Sequence, residues 1–179
     1  MPSAIQCGPG ACPLAEVVAI QICAKAADPL VERDEVVAVA GKGLEGDRYF
    51  RKVGTYAKAG KLGAGKEITL VEEESLAAAK LEHGVEVSFR ETRRNVLVRG
   101  VGLNDLVGRE FLVGDVLLLG VKLCEPCIKI ASWSKKPLIR ALCHRGGLNA
   151  RILRGGTIRK GHAVAVPSLH DEGRAQSAP

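Results

Sequence analysis

Aromatic side chains are scarce in this chain: one Trp, two Tyr and three Phe make up 3% of its 179 residues. Proteins that hold single-stranded nucleic acid stack bases on exposed rings, so this scarcity argues against a nucleic-acid partner. Long apolar runs are missing as well. The best of them, such as "VLLLGV", fall far short of the roughly 20 residues that span a bilayer, which argues against a membrane partner. The opening "MPSAIQCGPGACP" has no basic flank leading into an apolar run, so no secretory signal is read there. The chain shows no internal repeat, and no flavin, haem or iron–sulfur motif.

What is present suits a single soluble globular domain. Apolar residues are 46% and charged residues 26% of the chain, ordinary values for that class. The net charge of +6 and pI near 9.1 favour an anionic partner. Six cysteines, one tight pair beside scattered singles and no signal, fit reduced thiols in the cytoplasm better than a disulfide framework.

Both ends read as loose: a flexible segment over residues 1–13 and a disordered tail over 168–179 leave 14–167 as the one domain. Within it "AEVVAIQIC", "DEVVAVAG", "EITLV", "NVLVRG", "EFLVGDVLLLGVKL" and "GHAVAV" have the β-branched content of strands. "EEESLAAAKLEHG" reads as a helix, with glutamates in its first turn, Lys80 and His83 in its last, and Gly84 to end it. A second, shorter helix is expected in "KPLIRALCHRGG". The turn formers of "GKGLEGD", "RGVGLNDLVG" and "RGGTIRKG" divide the strands. The fold expected is mainly β, a strongly curled, barrel-like sheet with two or three short helices.

Several stretches carry chemistry. "GKLGAGKE" has the glycine and lysine spacing of a phosphate loop, but Glu67 stands where a hydroxyl is needed and a strand follows, so it reads as a surface loop that could border a site. In "GKGLEGDRYF", Asp47 reads as a cap for local N–H groups, while Arg48 suits either a tight turn or an anion. In "FRETRRNVLVRG", a strand beginning near Arg93 would put Arg93 and Asn95 on one face and Arg94 on the other. Arginine forks and an amide could grip a phosphate or polar heterocycle, or form a solvated cationic edge.

The stretch "LCEPCIKI", Leu123 to Ile130, is harder to read as packing. Cys124 and Cys127 follow a long strand pattern without a convincing helix after them, unlike a redox couple at a helix head. A structural zinc site wants four ligands; Cys143 with His144 could contribute, but the set looks improvised. Cys23 and Cys143, among apolar neighbours, read as buried inert thiols. Lys122 and Lys129 give the pair a positive setting that favours the thiolate, able to bind a soft metal or carry sulfur.

These pieces in this order resemble the MOSC domain, the module named after the C-terminal part of molybdenum-cofactor sulfurase. The resemblance runs from about Ala15 to Val166 through "GLEGDR", "EITLVEEESL", "TRRNVLVRGVGLNDLVG", "FLVGDVLLLG", "LCEPC" and "GGTIRKGHAVAV". It implies a strand-rich domain that binds the molybdenum cofactor (molybdopterin) or handles sulfur. By resemblance, Cys127 matches the cysteine that ligates molybdenum in reductase members, and Arg93 and Asn95 match a segment that grips the pterin. Arg48, Arg94 and Lys129 would be electrostatic support. Where the family pattern ends on Gly-Asp, this sequence has Gly161 and His162.

Three functions are expected from this set. The first is a small oxidoreductase reducing N-hydroxylated compounds on the anionic pterin cofactor, fed electrons by a redox partner protein. The second is a sulfur carrier with a persulfide on Cys127, loaded by a sulfur-donor protein. The third is a non-enzymatic binding domain with structural cysteines, with or without zinc.

Overall fold

The computed structural model describes residues 15–25, 27–51 and 66–166. The segments expected to be loose at the two ends, with Cys7 and Cys12, lie outside these residues, as does most of the "GKLGAGKE" loop.

Each expected strand segment holds a strand. β1 is Glu16–Ile22, β3 Glu35–Val39, β5 Ile68–Glu72 and β6 Val96–Arg99. "EFLVGDVLLLGVKL" divides at Gly114 into β7 (Glu110–Val113) and β8 (Val116–Leu123), because Gly114 takes the left-handed turn with φ 57° that a side chain disfavours. "GHAVAV" supplies only the two-residue β11, Val164–Ala165. The structure adds β2 (Val31–Arg33), β4 (Gly43–Leu44), β9 (Leu148–Arg154) and β10 (Gly156–Arg159). The last of these lies in "RGGTIRKG", which had read as turn alone.

The barrel-like expectation is overturned. Pairing forms two open sheets, eight strands in the order β11-β7-β8-β9-β5-β6-β1-β2 and three in the order β10-β3-β4. The larger sheet ends on β2 and β11, three and two residues long; among the described residues no ladder joins them, and no closed or strongly curled sheet is found. The frequent turn formers that suggested curling instead split off the second sheet. At Gly161–His162 the turn closes without the usual aspartate: Arg159 N–H donates to His162 Nδ1 at 3.4 Å, and His162 O accepts from Val17 N–H at 2.9 Å.

Among the described residues there are four α-helices rather than two or three, α1 (Glu73–His83), α2 (Phe89–Thr92), α3 (Ile128–Ser134) and α4 (Leu138–Ala141), besides a short 3-10 turn at Leu103–Leu106. α1 has the expected caps, with Gly84 at φ 65° donating to Lys80 O. With α2 it makes the crossover from β5 to β6, which pair in parallel. Strands in such a unit are covered on both faces, and Ile68 to Val71 of β5 are accordingly all buried. α4 is shorter than expected, and α3 was not expected at all. The main core, with Ile20, Leu70, Val96, Phe111, Leu118 and Leu148 all at 0% exposure, lies among the strands. A smaller cluster joins Ala79, Ile130, Leu138 and Leu142 of the helical side.

Candidate functional site

A cleft of about 240 Å³ opens where the strand wall meets α3. Its position follows from the chain path. β8 ends at Leu123, the loop Cys124–Cys127 leaves the end of that strand, and Cys127 becomes the extended residue that opens α3, with φ −114° and ψ 159°. A helix therefore does follow the cysteine pair, contrary to the sequence expectation. Its residues Ile128–Ser134 lack the Ala/Leu pattern of α1, and tertiary packing of Ile130 supplies what local propensity does not.

Arg94 fastens this loop. Its Nε donates to Gly146 O at 2.8 Å, one terminal nitrogen to Thr92 O at 3.1 Å, and the other to Cys124 O at 2.5 Å and Glu125 O at 3.4 Å. The planar fork thus ties α2, the loop and the β9 approach together. Gly146 permits the close approach: a Cβ there would lie 2.6 Å from Cys124 O and 2.9 Å from Pro126 Cδ. Cys124 and Cys127 are both half-buried, both free and both on the cleft wall.

On the strand side, two guanidinium groups converge on one sulfur. Arg48 donates to Cys23 Sγ at 2.8 Å and Arg93 at 3.3 Å. Cys23 is buried, as expected, and accepts from both guanidinium groups; Cys143, also expected to be buried, is exposed. Arg48 also reaches Arg93 O at 3.3 Å and Asp47 Oδ2 at 3.5 Å. Burial works to lower the Arg48 pKa, but Asp47, Tyr49 and Cys23 outweigh it and hold the group above its ordinary value. For Arg93, burial dominates and, with the nearby Arg48, lowers the pKa against the pull of Cys23.

Asp47 does more than cap. Its Oδ1 accepts from Tyr49 N–H at 3.0 Å, and Oδ2 from Cys23 N–H and Asn95 Nδ2, each at 3.2 Å. Asn95 is wholly buried, its Oδ1 accepting from Thr69 Oγ1 at 2.8 Å and Thr69 N–H at 3.1 Å. Its carboxamide therefore braces the frame behind the cleft. The shared face expected for Arg93 and Asn95 does not form, because the strand begins only at Val96. Arg93 ends α2 in the left-handed region, φ 57°, which turns its side chain toward Asp28 O at 3.2 Å and the Trp133 ring at 4.8 Å.

Arg48, Arg93, Arg94, Lys129 and Cys127 thus share one cleft, joined by Lys66 and Lys122. Trp133, with Lys129 Nζ 5.5 Å from its ring, had been counted only as a rare aromatic. Its signal was the i, i+4 spacing from Lys129, visible once a helix is placed there. Glu67, the residue that spoils the phosphate-loop pattern, joins β9 to the turn after β3, accepting from Ile152 N–H at 2.8 Å and Gly41 N–H at 3.2 Å. The cleft wall carries six cationic side chains, two thiols and one carboxylate, Glu125. Such a wall attracts an anion and offers sulfur to a soft metal or an electrophile.

The family follows from comparison with known proteins. The model of the MOSC domain matches residues 57–165, and the chain belongs to that family. Among solved structures it is similar to the YuaD protein of Bacillus subtilis, with TM-score 0.68 and 20% identity over 84% of this chain and 93% of that one. It is also similar to YiiM of Geobacillus stearothermophilus (TM-score 0.61, 20% identity, 86% and 75% covered). YiiM of Escherichia coli has TM-score 0.60 and 16% identity, with 87% and 71% covered. At these identities the likeness shows the fold. No curated protein sequence matches. Among the described residues no helix is long and apolar enough to cross a membrane.

Proposed function

We propose that this cleft holds the molybdenum cofactor and that the protein is a small oxidoreductase acting on N-hydroxylated compounds. The observation that carries the reading is the wall itself, six cations and two thiols against one carboxylate. That donor set fits a phosphorylated pterin whose metal takes thiolate. Cys127 Sγ would be the protein ligand of molybdenum, and the bound cofactor would supply the two-electron chemistry. Arg48, Arg93 and Lys129 would hold the anionic end, while Arg94 fixes the loop that presents Cys127. Asn95 serves this arrangement from behind, by holding Asp47 and Thr69. The described walls enclose less than the about 300–1,000 Å³ usual for ligand pockets, which suits them to the metal and phosphate end of the cofactor. Electrons would come from a redox partner protein, in a reducing cytoplasm that would keep the four free cysteines among the described residues as thiols.

The test is molybdenum per chain after purification from cells that make the cofactor. Wild type should carry the metal and Cys127→Ala should not; a metal-free wild type, indistinguishable from the variant, overturns the reading.

The second thiol on the same wall, Cys124, favours one alternative, sulfur transfer. Cys127 thiolate would attack the outer sulfur of a donor protein's persulfide, taking that sulfur and releasing the donor thiolate. Intact mass after incubation with a cysteine desulfurase and cysteine reads it directly. A gain of one sulfur, lost in Cys127→Ser, favours transfer over metal binding.

A further inference from the structure

Beside the cysteine loop, a second group of ligating side chains shares only Glu125 with the cleft wall, and neither Cys143 nor His144 lines that cleft. Glu125, Cys143 and His144 offer a carboxylate oxygen, a thiol sulfur and an imidazole nitrogen, all within 4.8 Å of one another. Two separate parts of the chain bring them together: Glu125 comes from the β8–α3 loop, and Cys143 and His144 follow α4. Glu125 Oε2 accepts from His144 N–H at 3.0 Å, and Oε1 lies 3.0 Å from His144 Nδ1. His144 is held in the left-handed region at φ 59°, and its carbonyl accepts from Asn104 Nδ2 at 2.8 Å. The imidazole is therefore presented from a backbone fixed on both sides.

We propose that Glu125, Cys143 and His144 form a binding site for Zn²⁺, with three protein ligands and a fourth position left to water. The mixed donor set makes the choice of metal. Thiolate and imidazole favour a borderline-soft cation over Mg²⁺ or Ca²⁺, and a tetrahedral ion tolerates three protein ligands with one open position. Ligand bonds of about 2.0–2.3 Å put neighbouring ligand atoms roughly 3.3–3.8 Å apart around a tetrahedral centre. Side-chain rotation closes the remaining gap from 4.8 Å, since all three residues are exposed and need no rearranged core. Binding releases the Cys143 thiol proton and exchanges the His144–Glu125 contact for two metal bonds.

The site also has a consequence for the cleft. Glu125 stands between Cys124 and Cys127, and Arg94 already holds its carbonyl. Zinc would pin the same loop a second time, to the segment after α4, and so restrain Cys127 without touching it. The zinc site does not depend on the cofactor reading, and its test does not involve molybdenum.

The full chain, stripped of metal and kept reduced, would be titrated with zinc sulfate against a chelating indicator. Alkylation of each cysteine would be followed by mass spectrometry. We expect one zinc per chain and alkylation of Cys143 slowed at least about tenfold. Affinity should fall about 100-fold in His144→Ala and in Cys143→Ser, each loss being one ligand's share of a zinc site, with the melting temperature of the metal-free protein unchanged. Cys127→Ser should bind as wild type does. Zinc that leaves Cys143 unprotected, that survives His144→Ala, or that is lost with Cys127→Ser would overturn the proposal.

Discussion

On the strand side of the cleft Ile20, Leu70, Val96 and Leu148 are wholly buried, whereas on the helical side Ile128 is 79% exposed and Trp133 and Ile139 are each 45% exposed. The strand wall belongs to the main core and places Arg48 through a buried carboxylate. The helical wall, which carries Cys127, Lys129 and Trp133, rests on a small cluster of six buried residues with four partly buried ones packed against it. Few buried contacts mean low local stability. The Arg48 and Arg93 guanidinium groups are thus fixed while the thiol, with Lys129, sits on the side that opens more easily, a division that suits holding an anion and reaching a partner at once.

The strand wall is broken most directly at Asp47, which is 1% exposed and accepts from Cys23, Tyr49, Asn95 and Arg48. Asp47→Ala leaves Arg48 buried without its carboxylate, a loss of about 3–5 kcal/mol. Urea unfolding should show this as a lower midpoint at unchanged slope. A loss under about 1 kcal/mol would mean that Arg48 escapes to solvent, and that the strand wall is no firmer than the helical one.

Arg94 is the link between the walls, and Arg94→Lys tests it. A lysine cannot reach Thr92, Gly146 and Cys124 together, and carbonyls left behind should lower stability by about 1.5–3 kcal/mol. The loop should feel this more than the sheet. Alkylation of Cys127 should quicken by about tenfold for each 1.4 kcal/mol by which loop opening eases. Equal loss of global stability with no change at Cys127 would show that the loop does not open on its own.

What could be read ahead of the structure divides along the same boundary. α1 was legible because acidic residues, a basic last turn and Gly84 all agree locally, and β7–β8 was legible as extended chain, although it read as one long strand and the turn at Gly114 divides it. β9 was not legible, although it pairs with both β8 and β5. Asn149, Arg151 and Arg154 break its alternation, and only its neighbours make it a strand. Most of the proposed site residues do meet in one cleft, but Asn95 turns inward. The cause is α2, whose Ser88–Glu91 capping box stands in the sequence as S-x-x-E and ends the segment one register away from a strand at Arg93. The sulfur of Cys23 could not be found from local pattern at all. It joins Arg48 and Arg93 across 25 and 70 positions, a contact that exists only once β1 and β6 pair.

That capping box supplies the finest test of the helical wall. Glu91 accepts from Ser88 N–H at 2.8 Å and pairs with Lys136 Nζ at 2.8 Å, while Lys136 also reaches Glu86 O at 2.7 Å. Burial alone would raise the Glu91 carboxyl, but the bonds from Lys136 and Ser88 outweigh it and hold it below the usual carboxylate range. The folded pKa is the lower one, so the contribution is present above the ordinary carboxylate range and fades as pH falls through the folded value. The pair is only partly buried, which limits the contribution to under about 1 kcal/mol. Melting temperatures of wild type and Glu91→Gln should therefore differ slightly at neutral pH and converge in acid. A gap that persists after the carboxyl is protonated would assign the effect to the shape of the cap, and the charge of Lys136 would then have no part in holding α2 to the helical wall.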